Sequence, residues 1–117
     1  MTINQNLLIG IVGPCGAGKT TLEMGLKHHG YHARAIAQEH SYVPNMWQRL
    51  THPNILIFLQ ASHAVGARRK NMSWTLGEWE EQQRRLRHAR QGAHFYLDTN
   101  DLDIEGVLQA AMDFLNT

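Results

Sequence analysis

Residues 13–20 of the 117-residue chain read GPCGAGKT, with a lysine and a threonine directly after three closely spaced glycines. Glycine allows the backbone to curl, so that successive N–H groups point inward at one anion. An apolar run, residues 7–12, precedes the stretch, and a segment with helix-like spacing follows it. The N-terminal end of such a helix adds partial positive charge. The spacing therefore predicts a loop that binds phosphate.

The same residues match the pattern G-x-x-x-x-G-K-[ST], the P-loop, in the strand–loop–helix setting that this motif requires. We therefore expect an exposed loop that binds ATP together with Mg²⁺. Lys19 is expected to reach the β and γ phosphates, Thr20 to bind Mg²⁺ through its hydroxyl, and Thr21 to bond the α phosphate. A glycine-rich turn that matches by chance is the alternative. The other predicted nucleotide-binding residues of the loop are Gly13, Pro14, Cys15, Gly16, Ala17 and Gly18.

Apolar runs alternate with helical patterns along the chain. Strands separated by helices imply a parallel sheet with right-handed crossovers. The pattern predicts an α/β fold, a three-layer sandwich, in one domain over residues 1–117, because a chain of this length holds one core. The predicted strands cover residues 6–12, 31–37, 55–59 and 94–97, and the predicted helices cover residues 18–29, 44–51, 63–70, 77–91 and 102–115.

Two further segments resemble thymidylate kinases and deoxynucleoside kinases. Residues 53–69, PNILIFLQASHAVGARR, are similar to the strand and lid-helix entry of these enzymes, and residues 95–107, FYLDTNDLDIEGV, to their last strand, adenine loop and closing helix. The resemblance implies that Arg69, or its neighbour Arg68, packs on the adenine ring. It also implies that backbone around the segment Thr99-Asn100-Asp101 closes the other side. A guanidinium plane gains from stacking on a base, but an arginine on a solvated helix face is the alternative.

The chain departs from these kinases around its third predicted strand. The kinases place an Asp-Arg motif and a substantial acceptor-binding segment where this chain has only residues 38–53, and Gln60 replaces their aspartate. Two strands and a helix cannot fit into so few residues. We therefore expect the strand over residues 31–37 to lie directly beside the first strand, which predicts a sheet of about four strands in the order 2-1-3-4.

Glu39 follows this second strand and is the only carboxylate within residues 24–77. A strand beside the first one ends close to the phosphate loop, where a magnesium ligand or a proton acceptor is needed. A solvated loop acid is the alternative for Glu39, and His40 is interpreted as a proton acceptor or as a cap of the loop. The predicted catalytic residues are Lys19, Glu39 and Arg69, and the predicted Mg²⁺ ligands are Thr20 and Glu39.

Seven of the 11 basic residues fall within residues 66–90. A basic helical flap above the phosphates would neutralise charge and exclude water. Acidic residues a few positions earlier equally explain the pattern by ion pairs along a helix. Trp74 and Trp79 in this segment are interpreted as packing residues, as a base-stacking surface or as the contact of a homodimer. The arginines that the two interpretations concern are Arg84, Arg85 and Arg87.

Composition argues against several classes of function. A formal charge of +1, from 11 basic and 10 acidic residues, provides no broad positive field for nucleic acid. The N-terminal MTINQNLLIGIVG predicts neither a signal peptide nor a membrane span, which favours the cytoplasm. The single Cys15 excludes an internal disulfide and a zinc site built from several cysteines. The eight scattered histidines are interpreted as ordinary surface or partly buried residues.

Two functions of different classes remain open. The chain is either a small phosphotransferase of the nucleoside or nucleotide kinase type, or a nucleotide-binding regulatory or interaction module derived from such a kinase. The short acceptor region favours the module, whereas the arginine-rich segment favours the phosphotransferase. For the latter, we expect a small-molecule phosphate acceptor between residues 39–42, Trp47, Arg49 and the basic segment.

Overall fold

Four strands and six α-helices make up residues 6–117, the part of the chain that the computed structural model describes. None of these helices is long and apolar enough to cross a membrane. The expectations about a leader and about the first domain boundary involve residues 1–5, which lie outside the described part. The strands are β1 Leu8–Val12, β2 His32–Ala35, β3 Ile55–Gln60 and β4 Phe95–Asp98. The helices are α1 Lys19–His28, α2 Met46–Thr51, α3 His63–Lys70, α4 Leu76–Arg85, α5 Arg87–Gly92 and α6 Ile104–Leu115, and a 3₁₀ turn spans Gln38–His40.

All four strands are parallel and lie in the order β2-β1-β3-β4. Ile9 of β1 lies opposite Ala33 of β2 and opposite Ile55 of β3. Ile57 of β3 lies opposite Phe95 of β4. The predicted order 2-1-3-4 is confirmed, and β2 lies directly beside β1, as the short segment before β3 requires.

Helices cover both faces of the sheet, and each face has its own apolar cluster. On one face Leu26 of α1 and Leu115 of α6 pack in the cluster of Ile57. On the other face Trp47 of α2 and Ala89 of α5 pack in the cluster of Phe58. Strand β3 is buried along its whole length because it is covered on both sides, which explains its continuous apolar sequence. The predicted α/β architecture is confirmed.

Side-chain caps fix where three of the helices begin. Ser62 Oγ accepts a hydrogen bond from Val65 N at the start of α3. Thr75 forms a reciprocal capping box with Glu78 at the start of α4. Asp103 accepts from Gly106 N at the start of α6. Each such cap contributes about 1 kcal/mol, so these helix starts are locally encoded.

One predicted helix and one predicted strand differ from the structure. The polar helix expected over residues 77–91 is divided into α4 and α5 at Leu86, which has φ −91° and ψ −5° and is buried. No glycine or proline marks this break, so the sequence pattern does not reveal it. Strand β2 is shorter than the predicted span 31–37, and the 3₁₀ turn that follows it was not predicted.

Candidate functional site

A cleft of about 990 Å³ lies above residues 13–18, the β1–α1 loop. One wall is formed by residues that follow β2, including Glu39 and His40, and the other by the end of α3 and the start of α6. The chain runs from β1 to β2 in one direction and from β3 to β4 in the other. The loops after the neighbouring strands β1 and β3 therefore diverge at the carboxyl edge of the sheet. This is the place where open α/β sheets bind ligands.

Glycines hold the β1–α1 loop against β3 and α3. A Cβ on Gly13 would lie 2.1 Å from O of Leu59, and a Cβ on Gly16 would lie 2.5 Å from Cα of Gly66. Gly16 also has φ 82°, in the left-handed region. The path of the loop therefore depends on the absence of side chains at these positions.

The side chain of Lys19 folds back over this loop. Its Nζ donates to O of Gly13 at 2.9 Å and to O of Pro14 at 3.2 Å, and it lies 2.8 Å from Oε2 of Glu39. The two side chains of this ion pair are only 11% and 5% exposed, so the expectation that Lys19 belongs to an exposed loop is wrong. Removing either partner would leave an uncompensated charge in a buried place.

The turn after β2 carries Glu39 to Lys19. Gln38 anchors this turn: it is fully buried, its Nε2 donates to O of Val43, and its Oε1 accepts from N of Trp47. Glu39 is 4% exposed and is therefore not a solvated loop acid. It lines the cleft from the β2 side, as the predicted strand order requires.

One carboxylate oxygen of Glu39 lacks a hydrogen-bond partner. Within residues 6–117, no donor satisfies the buried Oε1. An unsatisfied buried polar atom costs about 1–3 kcal/mol, and each such atom calls for an explanation such as an ion or a water. Glu39 lines the cleft, so a small movement of its carboxylate would bring Oε1 to a cation or to a donor group of a ligand.

Cys15 and His40 lie next to this carboxylate. Nε2 of His40 is 3.7 Å from Sγ of Cys15 and 3.8 Å from Oε2 of Glu39. Gln82 of α4 holds Cys15, because its Oε1 accepts from N of Cys15 at 3.0 Å and its Nε2 donates to Sγ at 3.2 Å. The sequence analysis missed Gln82, although it precedes the buried Leu86 by four residues and so shares its helical face.

Thr20 and Thr21 lie in the first turn of α1, are exposed and line the cleft. Helix α1 begins after Gly18 with no hydrogen bond from a capping side chain, in contrast to α3, α4 and α6. The first-turn N–H groups that a cap would satisfy are available to a ligand, and the helix dipole favours an anion there.

Arg69 of α3 joins the β1–α1 loop to the segment after β4. Its NH1 donates to O of Gly16 at 3.1 Å and to Oγ1 of Thr99 at 2.9 Å, and its NH2 donates to O of Thr99. These bonds use the edges of the guanidinium and leave its flat faces for stacking. Arg69 lines the cleft, whereas Arg68 is exposed and does not.

Thr99 and Asn100 brace the site without lining the cleft. Thr99 is fully buried, and its Oγ1 lies 3.1 Å from O of Ala17 and from O of Gln60. Asn100 Oδ1 accepts from N of Ser62, the residue that caps α3. The side chains of these two residues therefore position the loops around the site.

No protein-family model matches the chain, and no curated protein matches it as a relative. The interpretation of the cleft therefore depends on the residues and the geometry of this chain.

Some residues expected at the acceptor side lie elsewhere. Trp47 is buried beneath the sheet, where its Nε1 donates to Nδ1 of His88. Arg49 is exposed and does not line the cleft. Gln60, which replaces the kinase aspartate, exchanges side-chain hydrogen bonds with Gln83 of α4.

The arginines of α4 and α5 do not form a flap above the loop. Arg84 pairs with Glu81 one helical turn away, and Arg85 lies over the ring of Tyr42 at 4.2 Å. The hydrogen bond from Arg84 lowers the pKa of Glu81 below its ordinary value. Arg84, Arg85 and Arg87 do not line the cleft, so the interpretation as helical ion pairs describes this region better.

Trp74 and Trp79 make contacts within the chain. Nε1 of Trp74 donates to O of His63, and Nε1 of Trp79 donates to O of Ala61. Their role as packing residues agrees with these contacts.

One side chain of the α3–α6 wall, Ile104, was not predicted as a site residue. Lys70 lines the cleft beside Arg69, and Ile104 lines it at the start of α6 with 69% of its surface exposed. An apolar residue at the first position of a helix carries no distinctive pattern, so the sequence gives no signal for Ile104.

Proposed function

We propose that the chain binds ATP with Mg²⁺ on the β1–α1 loop and transfers the γ-phosphoryl group to a small hydroxyl compound, as nucleoside and nucleotide kinases do. One observation carries the proposal. Lys19 and the buried Glu39 meet at 2.8 Å at the wall of a cleft whose floor is a glycine-rich strand-to-helix loop. The fold and the motif alone do not define a function. The pair adds a cation for phosphate and a carboxylate for a metal ion or a proton, both beside the β1–α1 loop.

The loop supplies what a phosphate chain requires. Lys19 Nζ contacts three oxygen atoms, two carbonyls and one carboxylate. Phosphate oxygens are charged acceptors and replace such partners favourably. Lys19 would then leave Glu39 for the β and γ phosphates, while the uncapped first turn of α1 binds the anion through its N–H groups.

The residues near the loop also fit Mg²⁺, which prefers oxygen ligands and keeps several waters. Thr20 offers an exposed hydroxyl in the cleft, and Glu39 offers a buried oxygen without a partner. When bound, the ion neutralises charge on the phosphates.

The α3–α6 wall fits a base. The guanidinium of Arg69 is fixed by its edges, so a flat face can stack on a ring. The exposed Ile104 adds apolar contact area on the same wall. Arg68 is too far round the helix to line this wall.

Glu39 is suited to accept the proton of the attacking hydroxyl. Once Lys19 binds phosphate, Oε2 of the carboxylate loses its ion-pair partner and is free to accept a proton. The acceptor oxygen forms a bond to the γ-phosphorus, the bond from that phosphorus to the β–γ bridging oxygen breaks, and ADP leaves. The hydroxyl proton moves to Glu39.

A second candidate is a regulatory or interaction module that binds ATP and transfers nothing. The position of Arg84, Arg85 and Arg87 away from the cleft favours it, because a kinase lid needs such charges above the phosphates.

Single-turnover transfer from γ-labelled ATP to nucleosides, nucleotides, small hydroxy compounds or water distinguishes the two candidates. Glu39→Gln should lower the transfer rate on the order of 10²-fold or more with a modest change in ATP affinity. The matched control is Glu80→Gln, an exposed residue of α4 that does not line the cleft, which should transfer at the wild-type rate. Equal rates in wild type and Glu39→Gln would refute the role of Glu39, and ATP binding without transfer to any acceptor would select the module.

ATP as the substrate and a single unpaired cysteine support a cytoplasmic location for this activity.

A further inference from the structure

Three side chains that bind metals meet at the rim of the cleft. One ligand atom from each of Cys15, Glu39 and His40 lies within 4.8 Å of the other two. The three residues come from the β1–α1 loop and from the turn after β2, so they meet only because β2 lies beside β1. We infer that they bind one thiophilic divalent cation, such as Zn²⁺.

The spacing of the ligand atoms fits zinc. Tetrahedral Zn²⁺ with ordinary bond lengths separates a thiolate sulfur from an imidazole nitrogen by about 3.6 Å. Sγ of Cys15 and Nε2 of His40 are 3.7 Å apart, and Nε2 of His40 is 3.8 Å from Oε2 of Glu39. Oε2 is the oxygen that Lys19 holds, so a rotation of the Glu39 carboxylate that presents Oε1 to the ion would bring the three groups together.

The unpartnered oxygen of Glu39 independently indicates a missing cation. The side chain is 5% exposed, and its buried Oε1 has no donor within residues 6–117. Lys19 neutralises the carboxylate from the side of Oε2 only. A cation at Oε1 would satisfy the remaining lone pairs while Lys19 keeps its contact.

The surroundings of Cys15 suit a metal ligand. Gln82 donates from Nε2 to Sγ and accepts from N of Cys15, which fixes the position of the sulfur. His40 is 60% exposed, so its ring is free to turn toward an ion. Three protein ligands beside an open cleft leave a fourth position for water or a ligand.

This cation differs in kind from the Mg²⁺ of the proposed function, and the two ions would compete for the free oxygen of Glu39. Magnesium takes oxygen ligands and does not use a thiolate, whereas zinc and cobalt bind sulfur and imidazole readily. The inference depends on side-chain geometry and not on nucleotide binding, so either proposal can fail without the other.

Titration of the metal-free protein with Co²⁺ tests the site, because thiolate ligation produces a sulfur-to-cobalt charge-transfer band. Zn²⁺ affinity is then measured by competition with a chromophoric chelator. We expect the band to saturate at one equivalent and to disappear in Cys15→Ser. Removing a residue that only hydrogen-bonds a metal ligand lowers metal affinity by about 10–100-fold. Removal of a ligand should cost at least as much, so Cys15→Ser and His40→Ala should each weaken Zn²⁺ binding by about 100-fold or more. Gln82→Ala should weaken it by about tenfold.

His28→Ala is the matched control, since His28 is exposed and lies at the far end of α1. It should keep the band and the affinity. A wild type without the band at one equivalent, a band that persists in Cys15→Ser, or an unchanged affinity in His40→Ala would overturn the site. Alkylation of Cys15 in the wild type needs no variant: Zn²⁺ should slow it at least tenfold, and an unchanged rate would contradict the inference.

Discussion

The cleft and the helices α4 and α5 both concentrate charged residues, but they hold them in different ways. At the cleft, Lys19 and Glu39 come from different elements, lie 2.8 Å apart and are buried. On α4, Arg84 and Glu81 are one helical turn apart and largely exposed. Exposed helical pairs contribute little, whereas a buried pair that lacks one partner is strongly destabilising. A high density of charged residues therefore does not by itself locate a site. A buried ion pair between residues that are distant in the sequence is the better indicator.

The largest difference between the two regions should appear in stability. Lys19→Met should lower the free energy of unfolding by about 3–5 kcal/mol, because Glu39 remains as a buried unpaired charge. The double variant Lys19→Met/Glu39→Gln should recover most of this loss. Denaturant unfolding gives these values, with Arg84→Met as the exposed counterpart that should unfold at nearly the wild-type midpoint. A Lys19→Met protein as stable as the wild type would show that the pair behaves like the exposed one.

Glycine substitutions should sharpen the contrast between the loop and α4. Gly16→Ala should destabilise by about 1–2 kcal/mol from its left-handed φ alone, and more from the clash with Gly66. Gly77→Ala in the first turn of α4 meets no atom closer than 3.8 Å and should stabilise by about 0.4–1 kcal/mol. Thermal unfolding of both variants measures the difference. Equal tolerance at the two positions would mean that the loop is not held against α3.

Two adjacent arginines provide a smaller test. Arg69→Ala should weaken ATP binding about tenfold, since it removes a contact with the base and three hydrogen bonds that join the loops. Arg68→Ala, one residue away and outside the cleft, should bind as the wild type does. Equilibrium titration with a fluorescent ATP analogue compares them. If both variants bind equally well, the α3–α6 wall does not contact the base.

The smallest effect should be at Glu81. Its pKa lies below the ordinary value of 4.5 mainly because Arg84 donates a hydrogen bond to it. A lowered pKa contributes stability above the ordinary value and loses that contribution as pH falls through the folded-state value. The melting temperature of Glu81→Gln should thus be slightly below that of the wild type at pH 7, and the difference should shrink as the pH falls below 4.5. A large difference at pH 7 would show that this exposed pair matters as much as the buried one.

Much of the fold could be predicted because local patterns encode it. The apolar run of residues 55–59 predicted strand β3, and the short stretch before it required β2 to lie beside β1. The break at Leu86 could not be predicted, because it depends on burial against the sheet and not on a helix-breaking residue.

Residues 13–20 of the candidate site were predictable because they are adjacent in the sequence. The position of Glu39 was predictable because it follows from the strand order. The meeting of Cys15 with His40 was missed because the two residues are far apart in the sequence and neither belongs to a metal-ligand spacing. The positions of Arg84, Arg85 and Arg87 were equally beyond pattern analysis, since the same spacing suits a lid and a surface helix.

The central claim is that the cleft above the β1–α1 loop binds ATP with Mg²⁺ through Lys19. Isothermal titration calorimetry of ATP in the presence of Mg²⁺ tests it most directly, with the neutral double variant Lys19→Met/Glu39→Gln beside Arg84→Gln/Glu81→Gln, which removes the exposed pair instead. We predict one-to-one binding to the wild type and to the α4 double variant, and no detectable binding to the folded Lys19→Met/Glu39→Gln protein. A wild type that does not bind ATP, or equal affinity in all three proteins, would contradict the claim.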